Sequence, residues 1–277
     1  MARLKYHNFL TTPSGKSCIL YEITNDDYLV LNKFAQANDY SNFYISLDTL
    51  IKETVHDFDC YNIIDKLYIY LAYCYYSIHA TITLSQNGIA GTDISIATVL
   101  NNIESDYENI TKEYKLTNNI IVKCSIPRKL SFNGEFINIE YSSAIDSVNG
   151  IELKSNEERE SFMRKIGVRY SLKLEHLIKR DFVIMCALFK NGVGPFSLYQ
   201  ERANILDGDL FVSLVNVFRE NLDDFYKVMY YQVQHMRMSY DTLMRMTPIE
   251  SRHLFNLFVE EKKKEAEEHE KHSRIHN

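Results

Sequence analysis

The sequence predicts an α+β fold that is mainly helical, with a β-rich section inserted between an N-terminal and a C-terminal helical part. Apolar residues recur at helical spacing before residue 79 and again after residue 154. Between these parts, alternating β-branched runs are broken at Asn133-Gly134 and at Asn149-Gly150, and Asn-Gly in such a place favours a hairpin. Pro and Gly are scarce, with 4 and 9 in 277 residues, so long regular elements are expected. The chain therefore divides into three predicted segments, 1–79, 80–153 and 154–277.

In the first segment, we expect one strand and three helices. Thr24 and Asp27 have the spacing of a capping box, with Asp in the position usually held by Glu. Asp59 is expected to cap the third helix. That helix is apolar on most sides, which is typical of an element at the centre of a domain. The predicted elements are a strand at Ser17–Ile23 and helices ending near Ala37, at Leu47–Val55 and at Cys60–Ile78.

The middle segment is predicted to be mostly strand. Its elements are a strand at Ala80–Leu84, a short helix within Ile94–Tyr107, a strand at Glu113–Ile126 and the two hairpins. Both Asn-Gly pairs are expected to form type I′ turns, in which φ is positive at both central positions.

The last segment opens with a second capping box, Ser155 to Glu158, and returns to helical spacing. Gly167 should weaken this region locally. Apolar residues then recur at helical period at Leu174, Ile178, Phe182, Met185 and Phe189. Further helices are expected at Leu210–Phe218, at Leu222–Met236 and after Thr247, where Pro248 and Glu250 complete a helix start.

The final helix is predicted to combine a buried foot with a solvated arm. Ile249, Leu254, Leu257 and Phe258 fall on one side and should anchor it. From Glu260 to Lys271 the residues are mostly Glu and Lys, including Lys262–Lys264. Mixed charges three or four residues apart favour a solvated helix over a nucleic-acid patch.

Five methionines, Met229, Met236, Met238, Met244 and Met246, precede this helix. Methionine suits surfaces that repack against partners, but it also fills cores, and both interpretations stay open. The candidate partner-binding residues are Met236, Met238, Tyr240, Met244, Phe255 and Phe258. His235 lies on the same stretch and is interpreted as a core or boundary histidine.

Catalytic, cofactor and metal sites are not expected. Ser14-Gly15-Lys16-Ser17 matches the end of a phosphate-binding loop, but the first glycine of that motif is replaced by Leu10, so an exposed turn is preferred. His269, His272 and His276 could share a helix face, but they lie in a tail expected to fray.

Composition bounds the class of protein. Hydrophobic residues make up 45%, which is typical of a folded chain, and the net charge of −6 argues against a generic nucleic-acid binder. The five cysteines form no Cys-x-x-Cys pair, a pattern that fits free thiols in a reducing compartment. Neither a signal peptide nor a run of ~20 apolar residues is found, so no membrane contact is expected.

The order of these features resembles the baseplate hub assembly proteins of T4-like tailed phages. The resemblance covers most of the chain and is weakest from about residue 85 to 155. It is carried by Pro13-Ser14-Gly15, Ile23-Thr24 with Tyr28 and Leu31, Asp57, Ile64-Asp65-Lys66 leading the long helix into Ile78 to Leu84, and Met246-Thr247-Pro248 with Glu250. Some members carry a cysteine pair after the strand that follows the long helix, whereas Cys124 stands alone here. A metal-clipped form of that region is therefore not expected.

This resemblance implies a non-enzymatic role in building the phage baseplate hub, as a transient chaperone or as a retained structural subunit. It implies other hub or tail proteins as partners, with a homo-oligomer left open. It also implies a location in the host cytoplasm during assembly, and in the virion tail if the protein is retained. The alternatives are a nucleic-acid-associated or regulatory protein acting through Lys262–Lys264, and an enzyme built from dispersed residues.

Overall fold

The computed structural model describes residues 7–78, 81–86, 89–102, 110–133, 136–184, 210–219 and 221–275. It confirms the predicted α+β fold, mainly helical with antiparallel sheets in the middle. The helices are α1 (Asn25–Gln36), α2 (Tyr40–Lys52), α3 (Ile63–Ile78), α4 (Ile96–Asn102), α5 (Asn156–Lys165), α6 (Val168–Ile178), α7 (Leu210–Val217), α8 (Leu222–His235), α9 (Tyr240–Arg245) and α10 (Pro248–Ile275). The strands are β1 (His7–Thr11), β2 (Ser17–Tyr21), β3 (Thr81–Gln86), β4 (Ile89–Ser95), β5 (Lys112–Thr117), β6 (Ile120–Cys124), β7 (Leu130–Asn133), β8 (Phe136–Ile139), β9 (Ile145–Val148) and β10 (Ile151–Glu152).

The N-terminal helices begin where short polar side chains cap them. The Thr24–Asp27 capping box is confirmed at the start of α1. The predicted start of the second helix at Leu47 is wrong, because α2 already begins at Tyr40. Asp39 provides its cap, with Oδ1 accepting from the backbone N–H of Asn42 at 3.1 Å. The sequence analysis also missed β1, which pairs antiparallel with the predicted strand β2.

Helix α3 is buried along most of its length, which confirms its predicted central position. The prediction that Asp59 caps it is wrong. Asn62 has this role, since its Oδ1 accepts from the N–H groups of Ile64 and Asp65 at 3.0 and 2.8 Å. Asp59 instead forms an ion pair with Lys52 at 2.7 Å.

The first turns of α3 bind two other parts of the chain. Ser14 donates to the Asp65 carboxylate from its backbone N–H at 3.0 Å and from its hydroxyl at 2.5 Å. Lys66 donates from Nζ to the carbonyl oxygen of Arg128 at 2.6 Å. Burial lowers the pKa of Lys66, because desolvation disfavours its charged form. The helix therefore holds the N-terminal turn and the segment after β6 together.

The middle segment contains a four-stranded antiparallel sheet in the order β10-β9-β6-β5, which has the most strands of the sheets in the described residues. The predicted continuous strand Glu113–Ile126 is wrong, because Thr117 pairs with Ile120 across a two-residue turn that separates β5 from β6. The predicted type I′ turn at Asn149-Gly150 agrees with the structure, with φ values of 50° and 79°.

The other predicted hairpin forms between β7 and β8, but its turn lies one residue later than expected. Asn133 pairs with Phe136 and so belongs to the strand. Residues 134 and 135, which join the two strands, lie outside the described residues. The predicted type I′ turn centred on Asn133 and Gly134 is therefore wrong, because Asn133 is a strand residue without positive φ.

Helices α5 and α6 follow the sheet. The capping box at Ser155 and Glu158 is confirmed. Gly167 does more than weaken a helix, because its φ of 83° ends α5 and lets α6 begin at the next residue. Leu174, Ile178 and Phe182 are fully buried as predicted, whereas Met185 and Phe189 lie outside the described residues.

A π-helical stretch, Lys179–Ile184, continues α6 and fixes it to the sheet. Asp181 accepts from Nε and Nη2 of Arg180 at 2.6 and 2.9 Å and from the Tyr114 hydroxyl at 2.9 Å. These hydrogen bonds, that of Arg180 first, lower the pKa of Asp181 to about 2.

The C-terminal helices pack against α1, at the other end of the chain. The Tyr28 ring lies 5.7 Å from that of Phe218 and 5.8 Å from that of Phe225. Asn25 donates to the backbone carbonyl oxygens of Leu243 and Met246, both at 2.7 Å. One buried cluster includes residues from all three predicted segments.

Candidate partner-binding surface

Helix α8 has one buried face and one exposed aromatic face. Asn221 caps its start, and its Oδ1 accepts from the N–H of Asp223 at 3.0 Å. Met229 and Gln232, which are 3% and 0% exposed, face the protein interior. Residues three or four apart share a helix face, so the positions between these two point outward.

Tyrosines occupy both of those outward positions, and a third tyrosine, about one turn earlier in α8, is also exposed. Tyr226, Tyr230 and Tyr231 are 42%, 61% and 48% exposed. These three side chains, with His235 on α8 and Phe255 on α10, are called the aromatic surface below. Tyrosine is enriched at protein interfaces because it combines a large apolar area with a hydroxyl group that can bind a partner.

Four of the five rings of this surface, those other than Tyr226, contact each other across two helices. Tyr231 stacks on His235 with centroids 5.5 Å apart and lies 6.4 Å from the Phe255 ring of α10. Tyr230 meets Tyr231 edge to face at 6.0 Å. The aromatic surface is therefore continuous from the outer side of α8 to α10.

Buried polar contacts fix the two helices beneath it. Gln232 donates from Nε2 to the carbonyl oxygen of Ser251 at 2.7 Å, and its Oε1 accepts from the Ser251 hydroxyl at 3.1 Å. The predicted helix start at Thr247 is confirmed, with reciprocal hydrogen bonds to Glu250 of 3.0 and 3.2 Å. Rigid support of this kind lowers the entropic cost of binding a partner.

The predicted partner-binding residues fall around the aromatic surface but do not all join it. Tyr240 is 52% exposed at the start of α9. Phe255 contacts Tyr231, whereas no described ring contact connects Tyr240 or Phe258 to this group. The other predicted residues are half-buried, and they are Met236, Met238, Met244, Phe255 and Phe258. Met229 is a core residue, as one of the two interpretations of the methionines held.

Two expectations for this region are wrong. His235 is exposed and stacked on Tyr231, so it is not a core or boundary histidine. Leu257 is 49% exposed and is a weak anchor for α10, where Ser251 is the buried contact. The tyrosines of α8 were missed as site residues, although their spacing relative to Met229 is a signal that could have found them.

The turn at Ser14-Gly15-Lys16-Ser17 is exposed as expected at its last three residues, whereas Ser14 is not. Ser14 is buried, and both of its donors bind Asp65. A phosphate at this turn would need the same donors, so the carboxylate occupies its place. Lys16 lies 4.3 Å above the Tyr61 ring.

The charged arm of α10 is solvated from Glu260 to Lys271, as predicted. Lys262 forms an ion pair with Glu265 at 2.6 Å. The side chains of His272 and His276 lie outside the described residues, and no described group of three His, Cys, Asp or Glu residues is placed to hold a metal ion. Cys124 is buried and free.

Within the described ranges, no helix is both long and apolar enough to cross a membrane. Comparison of the chain with protein-family models, with curated proteins and with solved structures finds no match.

Proposed function

We propose that this chain is a non-enzymatic assembly protein that binds other proteins through the aromatic surface of α8 and α10. The observation that carries the proposal is the row of half-exposed tyrosines on α8, whose helix is fixed by the buried hydrogen bond between Gln232 and Ser251. Tyrosine side chains order at low entropic cost and often dominate the energy of protein interfaces.

The resemblance to T4-like phage proteins supplies the partner class. In this proposal the partner is another protein of the baseplate hub or tail, met in the host cytoplasm during assembly. The chain acts as a chaperone or as a retained subunit. Tyr240, Phe258 and the half-buried methionines Met236, Met238 and Met244 extend the contact around the aromatic surface.

Co-purification during phage infection tests the partner class. The tagged chain is expected to bring down baseplate hub or tail proteins, identified by mass spectrometry. A variant with Tyr230→Ser and Tyr231→Ser should lose them. The matched control is Leu172→Ser, which changes a 60% exposed apolar residue of α6.

Two results count against the proposal. One is a set of co-purified proteins that contains no tail component. The other is equal recovery of the same partners by the tyrosine variant and by the Leu172→Ser control.

A further inference from the structure

An open polar cleft of about 1050 Å³ lies between the N-terminal turn and the four-stranded sheet. Ser14, Lys16 and Asn62 line it on one side. Lys154 and Arg159 line it on the other side, where the chain leaves the sheet and enters α5. The cleft is separate from the aromatic surface, since no residue of that surface lines it.

The floor of the cleft is one row of side chains that crosses all four strands. Glu113 of β5 pairs with Lys123 of β6, which pairs with Ser147 of β9, which pairs with Glu152 of β10. All four residues line the cleft. Neighbouring strands lie ~4.8 Å apart, so this row places a cation near the middle and a carboxylate at each edge.

Cations outnumber anions in the cleft, although the whole chain carries a net charge of −6. Arg128 is neutralised by Asp146, to which Nη2 donates at 2.5 Å. Arg159 donates to the carbonyl oxygens of Ile145 and Leu153 at 2.8 and 2.9 Å. Because these acceptors are neutral, they do not cancel its positive charge.

The lysines of the cleft are available to a ligand. Lys16, Lys123 and Lys154 are all exposed. Within the part of the chain that the structure describes, none of them forms an ion pair. Their ammonium groups and the Arg159 guanidinium therefore outnumber the two remaining carboxylates of the cleft, those of Glu113 and Glu152.

We infer that this cleft binds an acidic peptide segment of a partner protein. Exposed ammonium groups attract carboxylates, and a peptide carries them at intervals that can match Lys16, Lys123 and Lys154. The Ser147 hydroxyl on the floor can bind an amide group between them.

The carboxylates of the floor favour a peptide over a polyphosphate. Glu113 and Glu152 lie at the two edges of the row and repel a ligand with dense negative charge. A peptide can place neutral residues over these edges. In addition, the Ser14 donors that could bind a phosphate already bind Asp65.

Fluorescence anisotropy of a labelled peptide of alternating Glu and Gly residues tests this inference on the full chain. We expect saturable binding that salt weakens, and no binding of the matching Gln-Gly peptide. A variant with Lys123→Gln and Lys154→Gln should bind roughly five- to tenfold more weakly, as expected for two exposed charge contacts. The matched control is Lys173→Gln, an exposed lysine of α6 outside the cleft.

Several results would overturn the inference. They are the absence of saturable binding, equal binding of the Gln-Gly peptide, and an equal loss with Lys173→Gln. Tighter binding of inorganic tripolyphosphate would assign the cleft to phosphates instead. Thermal melting of each variant reports whether the fold is retained. Because the tyrosine variant should still bind the acidic peptide, failure here is distinguishable from failure of the proposed function.

Discussion

Gln232 of α8 and Ser251 of α10 satisfy each other's hydrogen-bonding groups in the interior of the protein. The amide donates to the Ser251 carbonyl oxygen at 2.7 Å and accepts from the Ser251 hydroxyl at 3.1 Å. The two residues are 0% and 5% exposed. This contact fixes how α8 lies on α10, and with it the position of Tyr231 against Phe255.

Gln232→Leu should lower the free energy of unfolding by ~1–3 kcal/mol, because it leaves buried polar atoms of Ser251 unpaired. Urea unfolding measures the change. The control is Gln234→Leu, which alters an exposed glutamine of the same helix and should have little effect. Equal destabilisation by the two substitutions would contradict the assigned role of Gln232.

Met229→Ala should lower the stability of the protein much more than Leu257→Ala. Met229 is 3% exposed, so its truncation leaves a cavity and costs ~2–5 kcal/mol. Leu257 is 49% exposed, and its truncation should change stability by less than ~0.5 kcal/mol. Thermal or chemical melts compare them, and a larger loss with Leu257→Ala would show that α10 is anchored differently.

Because of Asp181, the free energy of unfolding should decrease at acidic pH. Its folded pKa is about 2, below the ordinary value of 3.8 for an Asp carboxyl, because it accepts hydrogen bonds from Arg180 and Tyr114 and lies near Lys112. A depressed carboxyl pKa contributes stability that is present above the unfolded value and is lost as pH falls towards the folded one.

Asp181→Asn should therefore lose part of the decline in stability seen in the parent between pH ~4 and ~2. Tyr114→Phe keeps the contact with Arg180 and should show an intermediate slope. Unfolding measured across this range checks both variants. Parallel curves for Asp181→Asn and the parent would contradict the assignment.

Gly150→Ala should destabilise the β9–β10 turn by ~1–2 kcal/mol, because an alanine at positive φ is strained. The φ of Gly150 is 79°, and no atom lies within 4 Å of an added Cβ, so the cost comes from the backbone alone. Asn149→Gly tests the same turn differently. It tolerates positive φ but loses the bonds of Asn149 to Ile121 and Asn119, which measure 2.8 and 2.9 Å. Chemical unfolding should detect a loss in both variants, and a parental midpoint for Gly150→Ala would contradict the turn assignment.

Deleting the residues after Lys262 should leave the melting temperature close to that of the parent. Residues 263–271 of the removed segment are exposed, and the lost Lys262–Glu265 pair is worth only ~0.2–0.5 kcal/mol. If the arm is a docking element, recovery of partner proteins should fall. If Lys262–Lys264 bound nucleic acid, a Lys-to-Gln triple variant would lose salt-dependent retention of DNA or RNA. A truncation that unfolds the protein would contradict the solvated-arm assignment.

Features encoded within a few residues could be predicted from the sequence. The capping boxes at Thr24, Ser155 and Thr247 depend on side chains three positions apart. The turn at Asn149-Gly150 depends on two residues that tolerate positive φ. The central position of α3 could be predicted because apolar residues lie on most sides of this helix.

Contacts between distant residues could not be predicted in this way. Nothing near Ser14 in the sequence indicates Asp65 as its acceptor, and nothing near Gln232 indicates Ser251. Whether the Leu257 side chain is buried depends on how α10 packs against the rest of the protein. Its helical spacing alone predicted a buried anchor, which is wrong. The cleft was missed for the same reason, because its lysines come from separate parts of the chain.

The most direct test of the central claim is the affinity of the co-purified partner for the variant with Tyr230→Ser and Tyr231→Ser, measured by calorimetry. If the aromatic surface carries the interface, binding should weaken by ~2 kcal/mol or more, about thirtyfold, while Leu172→Ser binds like the parent. Unchanged affinity in the tyrosine variant, with a parental melting temperature, would contradict it.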